Sequence, residues 1–195
     1  MFNNSGNMGL PLMVLAFGEQ ALPLAVVLFF VENTLHYSLG TWMLDHHAKL
    51  WNLWRVPVIA AAIAGLAVSL LKIELWSPLY IGIKMLGDVS IPLLLFSLGV
   101  RLTDSAAKDV RLGLVGAALC PLAGMAIAWT MAPLLGLDDM QAGMLLIFGA
   151  LPPAVLNYIF AERYRQEPER VASIVMIGNM ASLAFIPIAL ALALR

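Results

Sequence analysis

Asn4-Ser5-Gly6-Asn7-Met8-Gly9-Leu10-Pro11 and, far along the chain, Gly149-Ala150-Leu151-Pro152-Pro153-Ala154 are the two strings on which the reading of this sequence turns. Gly6, Gly9 and Pro11 interrupt the first, and two consecutive prolines interrupt the second in the middle of an apolar stretch. Proline removes a backbone donor, and its ring clashes with the carbonyl four residues back. In hydrocarbon the freed backbone groups survive only where protein or a wet cavity surrounds them. Met8-Gly9-Leu10-Pro11 lines up with Gly149-Ala150-Leu151-Pro152, and an apolar helix follows each break. A pair of Gly/Pro-interrupted segments in corresponding positions points to a transporter site built from repeats. Pro57, Pro92, Pro121 and Pro187 read instead as ordinary kinks.

Working outward, the 195 residues are 62% hydrophobic and 12% charged, with a net charge of −1. A soluble domain is roughly 45–50% apolar and about 25% charged. This chain cannot cover a surface for water, which excludes a soluble domain, a disordered tail and a nucleic-acid binder. Six apolar stretches are long enough for tilted spanning helices: about 20–44, 56–72, 78–100, 112–135, 139–161 and 169–194. Strand-type alternation is absent, so the expectation is an all-α polytopic membrane protein rather than a β-barrel. Met1-Phe2-Asn3-Asn4 has neither the basic start nor the apolar core of a signal peptide.

Loop charge sets the orientation. Lys49 and Arg55, then Arg101, Lys108 and Arg111, then Arg163, Arg165 and Arg170 place eight of the eleven basic residues on one side. By the positive-inside rule the loops at 45–55, 101–111 and 162–170 face the cytoplasm of a cell with the chain in its inner membrane. Trp42, Trp51, Trp54, Trp76 and Trp129 fall near segment ends, where amphipathic rings anchor. Cys120 stands alone in an apolar run, and His36, His46 and His47 lack metal-ligand spacing, so neither a disulfide nor a metal is expected. No cofactor is implied. His-Glu-x-x-His, Gly-x-Ser-x-Gly and nucleotide-loop motifs are absent, which argues against an enzyme or a nucleotide-driven pump.

Polar residues at depth are the remaining signal. Glu32, Asn33, His36, Tyr37 and Gly40 lie on one stripe of the helix after the first break; Ser173, Gly178, Asn179 and Ser182 lie in the helix after the second. Intramembrane carboxylates are costly and usually functional. Glu32 reads either as the carrier of a coupling ion or as half of an i,i+4 contact with His36. Lys84 and Asp88, four residues apart, read as a mutual ion pair with Lys84 reaching outward, or, for the deeper Asp88, as a pathway or coupling residue. Ala61-xxx-Gly65-xxx-Ser69 and Gly116-xxx-Cys120-xxx-Gly124-xxx-Ala128 are small-residue faces for close helix packing, or for a homodimer contact.

At residues 4–12 (Asn-Ser-Gly-Asn-Met-Gly-Leu-Pro-Leu), 91–99 (Ile-Pro-Leu-Leu-Leu-Phe-Ser-Leu-Gly) and Leu151-Pro152-Pro153 with Tyr158 and Ala161, the sequence resembles the auxin efflux carrier family, including its bacterial malonate-type permeases. The resemblance runs over the whole chain. It implies inverted five-helix repeats whose broken helices cross near the bilayer centre. Residues 1–44 are then the end of the first repeat, a half crossover helix plus one spanning helix, with most of that repeat missing. Residues 45–55 are a cytoplasmic linker, and 56–195 are a complete second repeat. The implied function is a secondary transporter that moves a small organic anion, such as a carboxylate, by alternating access, with a proton or sodium as coupling ion. The resemblance places Asn4, Ser5, Asn7 and Pro11 at the first crossover and Pro152 and Pro153 at the second, as substrate-binding residues; Asp88, Asn157 and Asn179 join them as candidates by their own positions, as polar residues at depth or beside the second break. An alternative is a truncated, non-transporting fragment or accessory subunit. On that view the first eighteen residues lie at the interface or fold against Pro152-Pro153 without a partner helix, and the chain does not transport alone.

Overall fold

The computed structural model describes residues 1–46, 57–103 and 109–194. His47, Lys49, Trp51, Trp54 and Arg55 of the expected linker, Lys108 of the next loop and the terminal Arg195 lie outside the described residues. Every regular element among the described residues is helical. Helix α1 (Ser5–Phe17) opens with a wide turn over Ser5–Gly9 and continues as ordinary α-helix over Leu10–Phe17. Pro11 stands two residues past the wide turn and, having no N–H, cannot continue the bonding that the Leu10 N–H makes to the Ser5 carbonyl. Gly18, at φ +81°, closes the helix by donating its N–H to the Val14 carbonyl. Helix α2 (Glu19–Leu44) widens again over His36–Gly40. Such widened turns are frequent at functional sites.

The chain continues as α3 (Pro57–Leu70), α4 (Ser77–Thr103), α5 (Val110–Leu134), α6 (Asp139–Ala150), α7 (Val155–Arg163) and α8 (Pro168–Ala193). By length and composition α2, α5 and α8 can each cross a membrane. Of the stretch expected to span at 56–72, Val56 lies outside the described residues. The described part of α3 has 14 residues, about 21 Å at roughly 1.5 Å per residue. It stops because Lys72 turns left-handed, at φ +50°. The Lys72 N–H then bonds the Ser69 carbonyl and the Ile73 N–H the Val68 carbonyl, the paired closure of a helix end. Pro57 is the first described residue of α3. The 139–161 stretch is two half-helices, α6 and α7, joined by extended chain at 151–154. Leu151 has ψ +142°, as the residue before a proline must avoid the helical region.

The core lies where α1 and α2 pack on α6 and α8, with Met13, Ala21, Ala25, Met144, Ile147, Ala150 and Ala189 in one buried cluster. Small residues bring α5 against α6 and α8. A Cβ on Gly113 would meet Ile177, one on Gly116 would meet Ile174, and Gly124 and Gly149 set the α5 and α6 backbones in direct contact. The 116–128 face is therefore used for packing inside the chain. Ala61, Gly65 and Ser69 of α3 face outward. So do Leu15, Leu86, Phe96, Leu134 and Leu183, which are largely exposed. An apolar exterior of this kind suits a lipid solvent.

Candidate functional site

The two breaks meet. Asn3 and Pro153 form an antiparallel bridge. The Asn4 N–H donates to the Pro152 carbonyl at 2.8 Å, and the Ala154 N–H donates to the Phe2 carbonyl at 2.9 Å. Side-chain amides lock this crossing. The Asn157 side-chain oxygen accepts the Phe2 N–H at 3.1 Å, and its amide donates to the Phe2 and Ala154 carbonyls, each at 2.8 Å. Asn3 donates to the Phe148 carbonyl at 2.8 Å. Asn179, buried in α8, donates to the carbonyls of Pro153 (3.1 Å) and Val175 (2.8 Å) and accepts from the Asn4 amide at 3.4 Å. Ser182 steadies it from the next turn, donating to the Asn179 carbonyl at 2.6 Å. Both proline carbonyls freed by the break are thus satisfied, as burial requires. Gly178 lets the Pro153 ring lie on α8, since a Cβ there would come within 2.8 Å of the ring.

Beside the crossing is a cavity of about 210 Å³, lined by Asn3, Asn4, Ser5, Gly6, Asn7, Phe29, Glu32, Asn33, His36, Ala154, Val155 and Leu156. That is below the roughly 300–1,000 Å³ of pockets for drug-sized ligands, so it suits a small solute. The first turns of α1 and α7 both line it, and neither N-cap, Asn4 or Ala154, has a side-chain hydrogen bond to its helix. The leading N–H groups of a helix have no acceptor within it and carry about half a positive charge. Two such ends converging on one polar space suit a carboxylate or another anionic group.

Glu32 also faces this space. It is 9% exposed, and both carboxylate oxygens are buried without a hydrogen-bond partner. The Ser5 side chain and the Asn3 main chain lie within its electrostatic reach but outside hydrogen-bond geometry. The expected Glu32–His36 contact is not formed. His36 stacks on Phe2 at 4.4 Å between ring centroids and meets Phe160 edge-on at 4.9 Å. The crossing causes this, because pairing residues 2–4 with 152–154 delivers the Phe2 ring to His36.

Asn4, Ser5, Asn7 and Glu32 therefore come together at the cavity, while Pro152, Pro153, Asn157 and Asn179 build the crossing behind it. Pro11 is buried in α1 and does not line the cavity. Asp88 is not brought there either: it is exposed on α4 and paired with Lys84 at 3.0 Å. A carboxylate four residues from a lysine on one helix face finds its partner locally. The first break folds against Pro152 and Pro153 with its main chain partnered, not lying loose at an interface. Phe2 and Asn3 were not legible as site residues, since their roles depend on partners about 150 positions away. A larger cleft, about 590 Å³, between Trp129, Pro133, Gly143 and Leu192 has Asp139 as its one charged lining residue among the described residues.

Residues 46–190 match the membrane transport protein family, and the chain belongs to that family. The resemblance to auxin efflux carriers and malonate-type permeases agrees with its relatives. An uncharacterized transporter of Methanocaldococcus jannaschii is 24% identical over 95% of this chain and 64% of its own length. A protein of Rhizobium meliloti whose name assigns it provisionally to malonate transport is 24% identical over 94% of this chain and 62% of its own. Auxin efflux carrier component 6 of Arabidopsis thaliana is 24% identical over 87% of this chain and 29% of its own. The chain thus spans less than two thirds of the length of these relatives. No solved structure matches it.

Proposed function

We propose that the protein works as a secondary transporter that moves a small organic anion, such as a short carboxylate, across the cytoplasmic membrane by alternating access. The observation that carries this reading is the crossing of two extended breaks, each running into an uncapped helix N-terminus that opens on one small polar cavity. Positive helix ends bind an anion without a buried arginine, and discontinuous helices at a repeat interface are how many transporters build their sites. A relative named for malonate supports a carboxylate as the solute. In this reading residues 56–195 form one five-helix repeat, and residues 1–44 contribute a half crossover helix and a spanning helix to another. The 45–55 linker faces the cytoplasm.

The test is uptake of labelled malonate and succinate into vesicles that hold the protein. Asn7→Ala, which strips a cavity wall, and Pro152→Ala, which lets helix grow through the break, should each cut the initial rate at least tenfold. Trp76→Ala, on an exposed ring 75% open to its surroundings, should leave it near normal at equal membrane abundance. Near-normal uptake in the first two variants would sink the proposed site.

A further inference from the structure

Among the described residues, the buried side-chain oxygens without a hydrogen-bond partner are both carboxylate oxygens of Glu32 and the Thr34 hydroxyl. Every amide that builds the crossing is satisfied, so the lone unpartnered carboxylate is a local exception in a well-bonded site. It lies on the wall of the cavity that the two helix N-termini share. An ionised carboxylate there would be desolvated without a donor, the costliest state for such a group. It would also repel an incoming anion, because two like charges sharing one small site cannot both ionise cheaply.

We propose that Glu32 is the proton-coupling group of the cavity, taking up one proton for each anion that binds. The inference rests on the transport reading above. The proton comes from water on the side where the cavity is open, and forms an O–H on one Glu32 oxygen. That neutralises the repulsion and offers the anion one more donor. After the cavity reopens on the other side, anion and proton leave to water, and the carboxylate is restored for the return. Because binding free energies are reciprocal, the anion raises proton affinity by the factor by which the proton raises anion affinity.

Among the described residues, no other group facing Glu32 supplies this charge. His36, one turn along α2, is the other titratable side chain lining the cavity, and it is held between Phe2 and Phe160. The Met1 amino group lies within reach of His36. The lining residues from α1 and α7 are uncharged. α3 packs on α2 and contains no titratable residue. α4 packs on the Ser5–Gly9 turn, and its Lys84 and Asp88 neutralise each other. Tyr158 and Glu162 of α7 are hydrogen-bonded together on its exposed side.

The experiment uses the full chain in vesicles with the membrane potential clamped, and malonate and succinate as probes. With one proton per anion, the steady accumulation ratio should rise about tenfold per pH unit of imposed gradient, acid outside. Glu32→Gln should still exchange labelled anion across the membrane but lose the gradient dependence, while Glu74→Gln, in an exposed loop, should keep it. Infrared spectra of the same samples should contain a protonated carboxylic-acid band that grows when anion is added and is missing in Glu32→Gln. Flux that ignores the pH gradient in the unaltered protein overturns the coupling while leaving transport standing. Flux that needs sodium at fixed pH, and loses that need in Glu32→Gln, overturns the proton in favour of a metal cation. Should no anion flux be found at all, the transport reading fails. The infrared band then decides separately whether Glu32 holds a proton, and its absence near neutral pH overturns the proposal.

Discussion

Asn157 illustrates how much one side chain decides at the crossing. Its amide makes three hydrogen bonds, two of them to the main chain of Phe2, from 155 positions away. Asn157→Ala would orphan the Phe2 N–H in a half-buried setting, a loss of about 1–3 kcal/mol for an unsatisfied group. The expected outcome is release of residues 1–4, seen as faster proteolysis of the N-terminus, while the α5–α6–α8 packing holds. Asn157→Asp keeps the acceptor for the Phe2 N–H and should release them less. Equal protection in all three proteins would mean that the amide does not hold the crossing. The sequence marks Asn157 only as a polar residue near two prolines. Which main-chain groups it serves depends on a strand pairing that no local pattern encodes.

Helix against helix, the decisive contact is Gly124 on Gly149. A side chain at either position would run into the other's backbone, and backbone cannot yield as a flexible side chain can. Gly124→Leu should therefore force α5 from α6 and destabilise by about 1–3 kcal/mol or more, the usual cost of overpacking. Gly65→Ala, on the outward face of α3 with nothing within 4 Å of a new Cβ, should be neutral or gain roughly 0.5–1 kcal/mol from helix propensity. Thermal unfolding in one detergent checks both. A melting temperature for Gly124→Leu equal to that of the unaltered protein would refute the contact. The spacing of small residues made both faces legible as packing surfaces, but not which one the chain itself would occupy. That depended on α8 presenting Ile174 and Ile177 to Gly116 and Gly113.

Across the molecule as a whole, the claim is one of orientation. Basic residues crowd into alternate loops, so single cysteines at Lys49, Lys108 and Arg165, in a Cys120→Ala background, should resist an impermeant thiol reagent in intact cells. A cysteine at Glu74, in the α3–α4 loop, should be labelled. Labelling from outside at two of the three basic positions would reverse the topology. The apolar exterior and the three helices long and apolar enough to cross a membrane agree with insertion in a bilayer, and the labelling decides the orientation.

Composition, the run of apolar stretches and the prolines determined by themselves that this is a helical membrane protein with two interrupted segments. Those properties are local: a proline has no N–H wherever it sits, and an apolar surface cannot face water whatever it packs on. Family membership was legible for the same reason, in short strings of fixed residues. The tertiary structure alone decided that the two interruptions pair with each other, that Phe2 takes His36 from Glu32, and that Asp88 stays with Lys84 away from the cavity. The last two outcomes are competitions between a neighbour one helical turn away and partners from other elements of the chain. Such a competition is settled by how the two breaks dock, because only docking brings the distant partner within hydrogen-bond or ring-contact range.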